Sequence, residues 1–154
     1  METVRLIECD PLDQAALHCL SQYYAELDAR FEGGFRVERS SDPDADLLRR
    51  PKGSFVVALA GDEPVGCAAL KGTCPAYGEV KRMWIAPQAR GSGLAAALIE
   101  RVETIARELG MVLLRLDTNR ALPQAVAIYR HWGWREIERF NEDPYADFFF
   151  EKPL

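Results

Sequence analysis

The sequence lacks most of the features that announce a function outright. No apolar run approaches the roughly 20 residues that a membrane span needs, and stretches such as Leu94 to Ile99 fall far short. Glu2, and the absence of a long apolar segment over residues 1–10, speak against a secretory leader. The four cysteines (Cys9, Cys19, Cys67, Cys74) fit no zinc spacing, and only His18 and His131 are there to assist them. No metal is therefore expected, and free thiols in a reducing cytoplasm are. Excess positive charge is also missing. Nineteen Lys+Arg against 24 Asp+Glu leave a net charge of −5, which argues against nonspecific nucleic-acid binding but allows a local basic pocket. There is no internal repeat or low-complexity tract.

What remains is an ordinary globular composition. Hydrophobic residues make up 48% and charged residues 28%, the balance of a folded chain and not of a disordered one. At 154 residues the chain is the size of one domain (1–154), which buries roughly 70% of its unfolded surface without disulfides or a structural metal.

Periodicity sets the expected elements. Val4 to Cys9 alternates as a strand, and Asp10-Pro11 looks like a helix start with Asp10 as its cap. Leu17, Leu20, Tyr23, Tyr24, Leu27 and Phe31 then recur at helical spacing until Gly33-Gly34. A short helix is expected around Ala45 to Arg49. Phe55 to Ala60 and Val65 to Leu70 form a hairpin around Gly61-Asp62-Glu63-Pro64, and Gly78 to Ile85 is the next strand. Gly91 to Leu109 is a periodic helix, with Leu94, Leu98, Val102, Ile105 and Leu109 on one face and Glu100, Arg101, Glu103, Arg107 and Glu108 on the other. Met111 to Leu116 is a strand, Ala125 to Trp132 a helix, and strands around Ile137 and over Asp147 to Glu151 close the chain. The fold class is α/β (α+β): a mixed, mostly antiparallel sheet of six to seven strands flanked by about four helices.

The chemistry gathers at Gly78-Glu79-Val80-Lys81-Arg82-Met83-Trp84-Ile85-Ala86-Pro87-Gln88-Ala89-Arg90-Gly91-Ser92-Gly93-Leu94. A strand runs through a loop into a helix whose first N–H groups lack partners and carry partial positive charge. Gly91 and Gly93 remove the side chains that would block a close approach, and Arg90 adds a full charge, so an anion suits this place. A bare tight turn is the alternative. Neither common nucleotide loop is present: Ala96 stands where a third glycine of G-x-G-x-x-G would be, and no Gly-Lys-Ser/Thr follows Gly91.

Gln88-x-x-Gly91-x-Gly93 after a strand and Pro87, with an alanine-rich helix behind it, resembles the acetyl-CoA-binding motif of the GNAT superfamily of N-acetyltransferases. Ala125-Val126-Ala127-Ile128-Tyr129-Arg130-His131-Trp132-Gly133-Trp134 is similar to that family's second signature. The likeness covers Phe55 to Glu151; the first 50 residues share only the order of elements. It implies the single-domain GNAT fold, acetyl-CoA as co-substrate, and direct acetyl transfer to a primary amine in a ternary complex. It also implies cofactor contacts from Met83, Trp84, Ile85, Gln88, Ala89, Arg90, Gly91, Ser92, Gly93, Leu94, Ala95 and Tyr129. Many members carry an asparagine seven residues before the tyrosine. Leu122 occupies that place here, and Asn119 is the nearest substitute.

Deprotonating an amine of lysine-like pKa near 10.4 at pH 7 costs about 4.6 kcal/mol, which a base reached through water relieves. The thioester oxygen needs a donor, and the departing thiolate needs a proton. The resemblance offers Glu79 as base, a backbone N–H near Met83 or Ile85 as donor, and Tyr129 as acid. A solvent-facing Glu79 and a core Tyr129 are the plain alternatives. The acceptor is a small molecule or a peptide; no nucleic acid or membrane is implied, and a homodimer is possible in this family. A CoA-binding sensor or interaction domain without catalysis is the rival function.

Overall fold

Phe55, Val56, Val57 and Ala58 are fully buried, so both faces of the strand that carries them are covered. In the computed structural model, which describes residues 3–39, 45–74 and 77–154, that strand belongs to a seven-stranded sheet. The strands are β1 (Val4–Cys9), β2 (Ser54–Ala60), β3 (Glu63–Cys74), β4 (Tyr77–Ile85), β5 (Leu113–Thr118), β6 (Arg135–Ile137) and β7 (Phe148–Pro153). Their spatial order is β1-β2-β3-β4-β5-β7-β6. The α-helices are α1 (Gln14–Arg30), α2 (Leu94–Glu108) and α3 (Pro123–His131). Both α1 and α2 pack on β2, β3 and β4. Among the described residues only β4 and β5 run parallel, as a strand–helix–strand unit requires. No helix among the described residues is long and apolar enough to cross a membrane.

Two irregularities of β4 shape everything that follows. Its pairing with β5 covers only Tyr77–Leu113, Gly78–Leu114 and Glu79–Arg115, and then stops. Meanwhile β5 stays paired with β7 from Leu113 to Thr118. Past Glu79 the two parallel strands therefore part, and β4 presents an unpaired edge. On its other side, the register with β3 slips between Cys67–Trp84 and Ala69–Lys81. The extra residue is accommodated at Arg82, whose φ of 54° is the left-handed conformation that non-glycine residues seldom adopt. The Cys67 thiol donates to the Arg82 carbonyl at 3.1 Å and holds this bulge.

Several expectations are corrected. Three α-helices are present among the described residues, not about four, because Ala45–Leu48 closes only a short 3-10 turn. Asp10 does not cap α1: its carboxylate accepts the N–H of Leu12, and the helix begins at Gln14 after Asp13. Leu17 is 48% exposed; the buried face of α1 is drawn by Ala16, Cys19, Leu20 and Leu27. Glu103, expected on the outer face of α2, is buried and accepts a hydrogen bond from the Lys152 ammonium at 2.6 Å. The strand after α2 starts at Leu113, not Met111. Gly110 takes φ +85° and the Met111 N–H turns back to the Ala106 carbonyl, so the helix cap consumes the first expected strand residues. Residues 40–44 and 75–76 lie outside the described residues.

Candidate functional site

The parting of β4 and β5 opens two adjoining cavities. The larger, about 470 Å³, runs from Met83, Trp84 and Ile85 to the start of α2. It ends on Ala89, Arg90, Gly91, Gly93, Leu94 and Ala95. Gly91 (φ +77°) and Gly93 (φ +83°) both need the left-handed conformation, and nothing stands within 4 Å of where a Cβ would be. The loop is thus shaped by backbone and leaves open space in front of the first N–H groups of α2, the geometry an anion needs. Arg90 closes the rim. Its guanidinium reaches Glu26 on α1 at 2.5 Å, and its Nε donates to the Ile85 carbonyl at 2.9 Å. An extended chain ending in phosphates fits this shape: the β4 edge offers backbone groups along its length and the helix start receives the charge.

The smaller cavity, about 120 Å³, lies between α1, β4, β5 and the chain near Tyr145. Aromatic rings dominate one wall: Phe35 meets Tyr145 at 4.7 Å, Tyr24 at 5.5 Å and Phe31 at 5.9 Å between ring centroids. A chain of charged groups reaches the same cavity through Lys81 and Asp117. Lys81 Nζ lies 3.3 Å from Glu79 Oε2 and 3.0 Å from Asp117 Oδ2. Asn141 adds a second donor to Asp117 Oδ2 at 2.7 Å. Tyr129 borders both cavities. It is 6% exposed, and no described residue hydrogen-bonds its hydroxyl. Burial pushes its pKa well above the ordinary tyrosine value, and the nearby Asp117 charge pushes the same way. The phenol therefore keeps its proton at any physiological pH, and its side chain stands where the two cavities meet.

The sequence-derived site residues fall into three sets. Met83, Trp84, Ile85, Ala89, Arg90, Gly91, Gly93, Leu94, Ala95 and Tyr129 all border the larger cavity. Gln88 and Ser92 do not; the Gln88 amide faces Glu63 at 3.5 Å, and the Ser92 hydroxyl donates to the Ala89 carbonyl. Asn119 borders the smaller cavity only, and its side chain is committed: its amide donates to the Tyr145 carbonyl at 2.7 Å and its oxygen accepts the Ala121 N–H at 2.7 Å. Leu122, in the family asparagine's place, borders both. Glu79 borders neither cavity. It is 3% exposed, its Oε1 accepts the Thr73 hydroxyl at 2.8 Å, and its other oxygen faces Lys81.

The aromatic wall, Asp117 and Asn141 are functional candidates that the sequence pattern does not single out. In the run Leu114-Arg115-Leu116-Asp117-Thr118, Asp117 merely continues the alternation of apolar and charged residues, so the sequence carries no signal for it. Cys67 has no place in covalent chemistry here: burial pushes its thiol well above the ordinary value, and its proton is spent on the bulge. No grouping of three His, Cys, Asp or Glu that would hold a metal occurs among the described residues.

A split parallel strand pair opening on a glycine-shaped helix start, with the buried Tyr129 where the two cavities meet, suits an extended ligand that ends in an anion. Comparison with known proteins agrees. A family model described as the acetyltransferase (GNAT) family matches residues 20–134. An IAA acetyltransferase of Azospirillum brasilense is 34% identical over 158 residues, spanning 100% of both chains. An uncharacterized N-acetyltransferase of Escherichia coli K12 is 30% identical over 131 residues, 80% of this chain and 77% of that one. Among solved structures, a GNAT-family acetyltransferase of Staphylococcus aureus Mu50 superposes with a TM-score of 0.84 at 18% identity, covering 99% of each chain. The PaiA N-acetyltransferase of Thermoplasma acidophilum, solved with coenzyme A, gives 0.71 at 18% identity, again with 99% of each covered. The chain belongs to the GNAT family and is an acetyl-CoA-dependent N-acetyltransferase.

Proposed function

We propose that the protein moves an acetyl group from acetyl-CoA directly to a primary amine of a small molecule. Acetyl-CoA supplies an activated acetyl thioester. The observation that carries the reading is the junction of the two cavities at Tyr129, reached from one side by the β4 edge and from the other by the aromatic cavity. In the transfer a C–N bond forms and a C–S bond breaks. The ammonium loses one proton to solvent before the attack, the sulfur takes one from Tyr129, and the second proton shed by the acetylated nitrogen replaces it on the phenol. The unpaired β4 edge near Met83 to Ile85 supplies the backbone donor for the thioester oxygen.

The base reading for Glu79 is carried forward as a relay. Its carboxylate meets Lys81, and Lys81 meets Asp117, which faces the smaller cavity. Glu79 therefore acts from behind the wall and does not touch the acceptor. The small volume of that cavity, about 120 Å³, favours a compact acceptor over a peptide, and the relative named for IAA points the same way. A screen of amines, amino acids and short peptides with acetyl-CoA, read by release of the free CoA thiol, tests the reading. Turnover with a compact amine is expected. Saturable CoA binding without thiol release on any amine would instead support a sensor or interaction domain.

A further inference from the structure

The charged wall of the smaller cavity has an asymmetry that the transfer reading does not use. Asp117 is held firmly, but only by one of its two oxygens: Lys81 Nζ and Asn141 Nδ2 both go to Oδ2, at 3.0 and 2.7 Å. Among the described residues, none hydrogen-bonds Oδ1. That oxygen is not sealed in protein either, since the unsatisfied buried side-chain atoms among the described residues are those of Glu79, Arg115 and Trp134. The Asp117 side chain is 12% exposed and borders the smaller cavity. A carboxylate oriented through one oxygen, with the other turned to a small cavity, is built to receive a donor. The same cavity holds the unpartnered hydroxyl of Tyr129, which already feels the Asp117 charge. Phe31, Phe35 and Tyr145 line the same cavity, with Phe31 and Tyr145 at 5.6 Å. Flat apolar groups stack on such a wall, and a cation beside it gains from the ring faces.

We propose that Asp117 Oδ1 receives the acceptor's amino group, and that the acceptor is a compact cationic amine with a flat apolar body seated on Phe31, Phe35 and Tyr145. This rests on the acetyl-transfer reading and adds to it the residue that touches the acceptor and the chemistry it selects. Lys81 and Asn141 are positioning residues that turn Asp117, and Glu79 stands behind Lys81 as the second carboxylate on its ammonium. The other charged groups bordering this cavity are Arg82 on β4 and Asp143 near Tyr145.

The test uses phenethylamine as acceptor and the uncharged 2-phenylethanol as a competitor of the same shape, with acetyl-CoA as donor. In the wild-type enzyme the amine should bind at least tenfold more tightly than the alcohol. Asp117→Asn should raise the amine KM tenfold or more, about 1.4 kcal/mol, and erase the discrimination. It should leave the acetyl-CoA KM and the calorimetric affinity for CoA within twofold. Asp117→Glu, which keeps the charge, should restore part of the preference, and Phe35→Ala should weaken the amine and the alcohol alike. A purely structural Asp117 would change both ligands equally in Asp117→Asn, and an unchanged ratio in that variant overturns the proposal. Should Asp117→Asn not fold, loss of the preference in Asp117→Glu as well would overturn it. If the wild-type enzyme releases no CoA thiol with any amine, the transfer reading fails instead; transfer with an unchanged ratio defeats only the role given to Asp117.

Discussion

The two cavities are built by different means. The larger takes its anion-receiving end from main chain, an unpaired strand edge, two left-handed glycines and a helix start within residues 83–95, while side chains of α1 and α3 complete its walls. The smaller is made of side chains brought from afar, with Phe35, Asp117 and Tyr145 separated by tens of residues. A backbone site tolerates change in its side chains but not in its conformation. A side-chain site tolerates backbone neighbours of many kinds but depends on each projecting group. The larger cavity should thus respond steeply to one substitution at a glycine, and the smaller should lose function piecemeal.

The steepest effect is expected at Gly93, the residue that precedes α2 with φ +83°. A β-branched side chain in that conformation costs on the order of 1–2 kcal/mol locally and turns the first N–H groups away from the phosphate path. Because nothing lies within 4 Å of the added Cβ, the fold itself should survive. Gly93→Val should weaken CoA binding about a hundredfold by calorimetry with a near-native melting curve. Normal binding by that variant would remove the backbone account of the larger cavity.

The next effect belongs to the junction. Tyr129→Phe deletes a hydroxyl that makes no hydrogen bond with the described residues, so stability and binding of both substrates should hold within about twofold. Turnover should fall tenfold or more, the ordinary loss of a positioned proton donor. A smaller and purely side-chain effect is expected at the aromatic wall. Phe35→Ala should raise the acceptor KM about fivefold while leaving the acetyl-CoA KM alone. Steady-state kinetics with both substrates varied checks the pair. A change in the acetyl-CoA KM for Phe35→Ala would blur the division between the cavities.

The same division decides what can be read from the amino-acid order. Gly91, Gly93 and the helix behind them form a local pattern, so the larger cavity is legible in the sequence alone. So is the existence of all seven strands, because hydrophobic alternation and short continuous apolar runs such as Phe55 to Ala60 are local properties. The smaller cavity is not legible. Glu79 reads as a strand-start carboxylate free to act, but its ion pair with Lys81 and its hydrogen bond from Thr73 turn it inward. Asn119 reads as a displaced ligand, but the Tyr145 carbonyl and the Ala121 N–H claim it. Glu103 reads as a solvent-facing helix residue, but Lys152 from the last strand covers it. In each case the deciding partner lies in a distant segment or in a side-chain geometry that no spacing rule contains. Helix lengths fail for a different reason, since the Ala45–Leu48 turn has too few residues to continue against Pro51.

The smallest effect is expected far from both cavities and serves as their control. Arg50 links three segments there: it donates to Glu8 on β1 at 2.6 Å and to Glu108 at the end of α2 at 2.6 Å. The Arg50 guanidinium holds the Glu8 carboxyl below its ordinary value of 4.5, with the Ser54 hydroxyl helping and partial burial opposing. A carboxyl whose folded pKa is depressed adds stability that is present above its unfolded pKa and is lost as pH falls through the folded one. Arg50→Met should therefore lower Tm at pH 7 by about 1–3 °C, the worth of a largely exposed pair in a chain of this size. The gap to wild type should narrow as pH drops below about 4.5, where Glu8 becomes protonated in the unfolded chain and then in the folded one. Both KM values at pH 7 should stay unchanged, because neither cavity includes Glu8, Arg50 or Glu108. A gap that widens on acidification would show that Arg50 stabilises the fold by packing of its stem and not through the Glu8 charge.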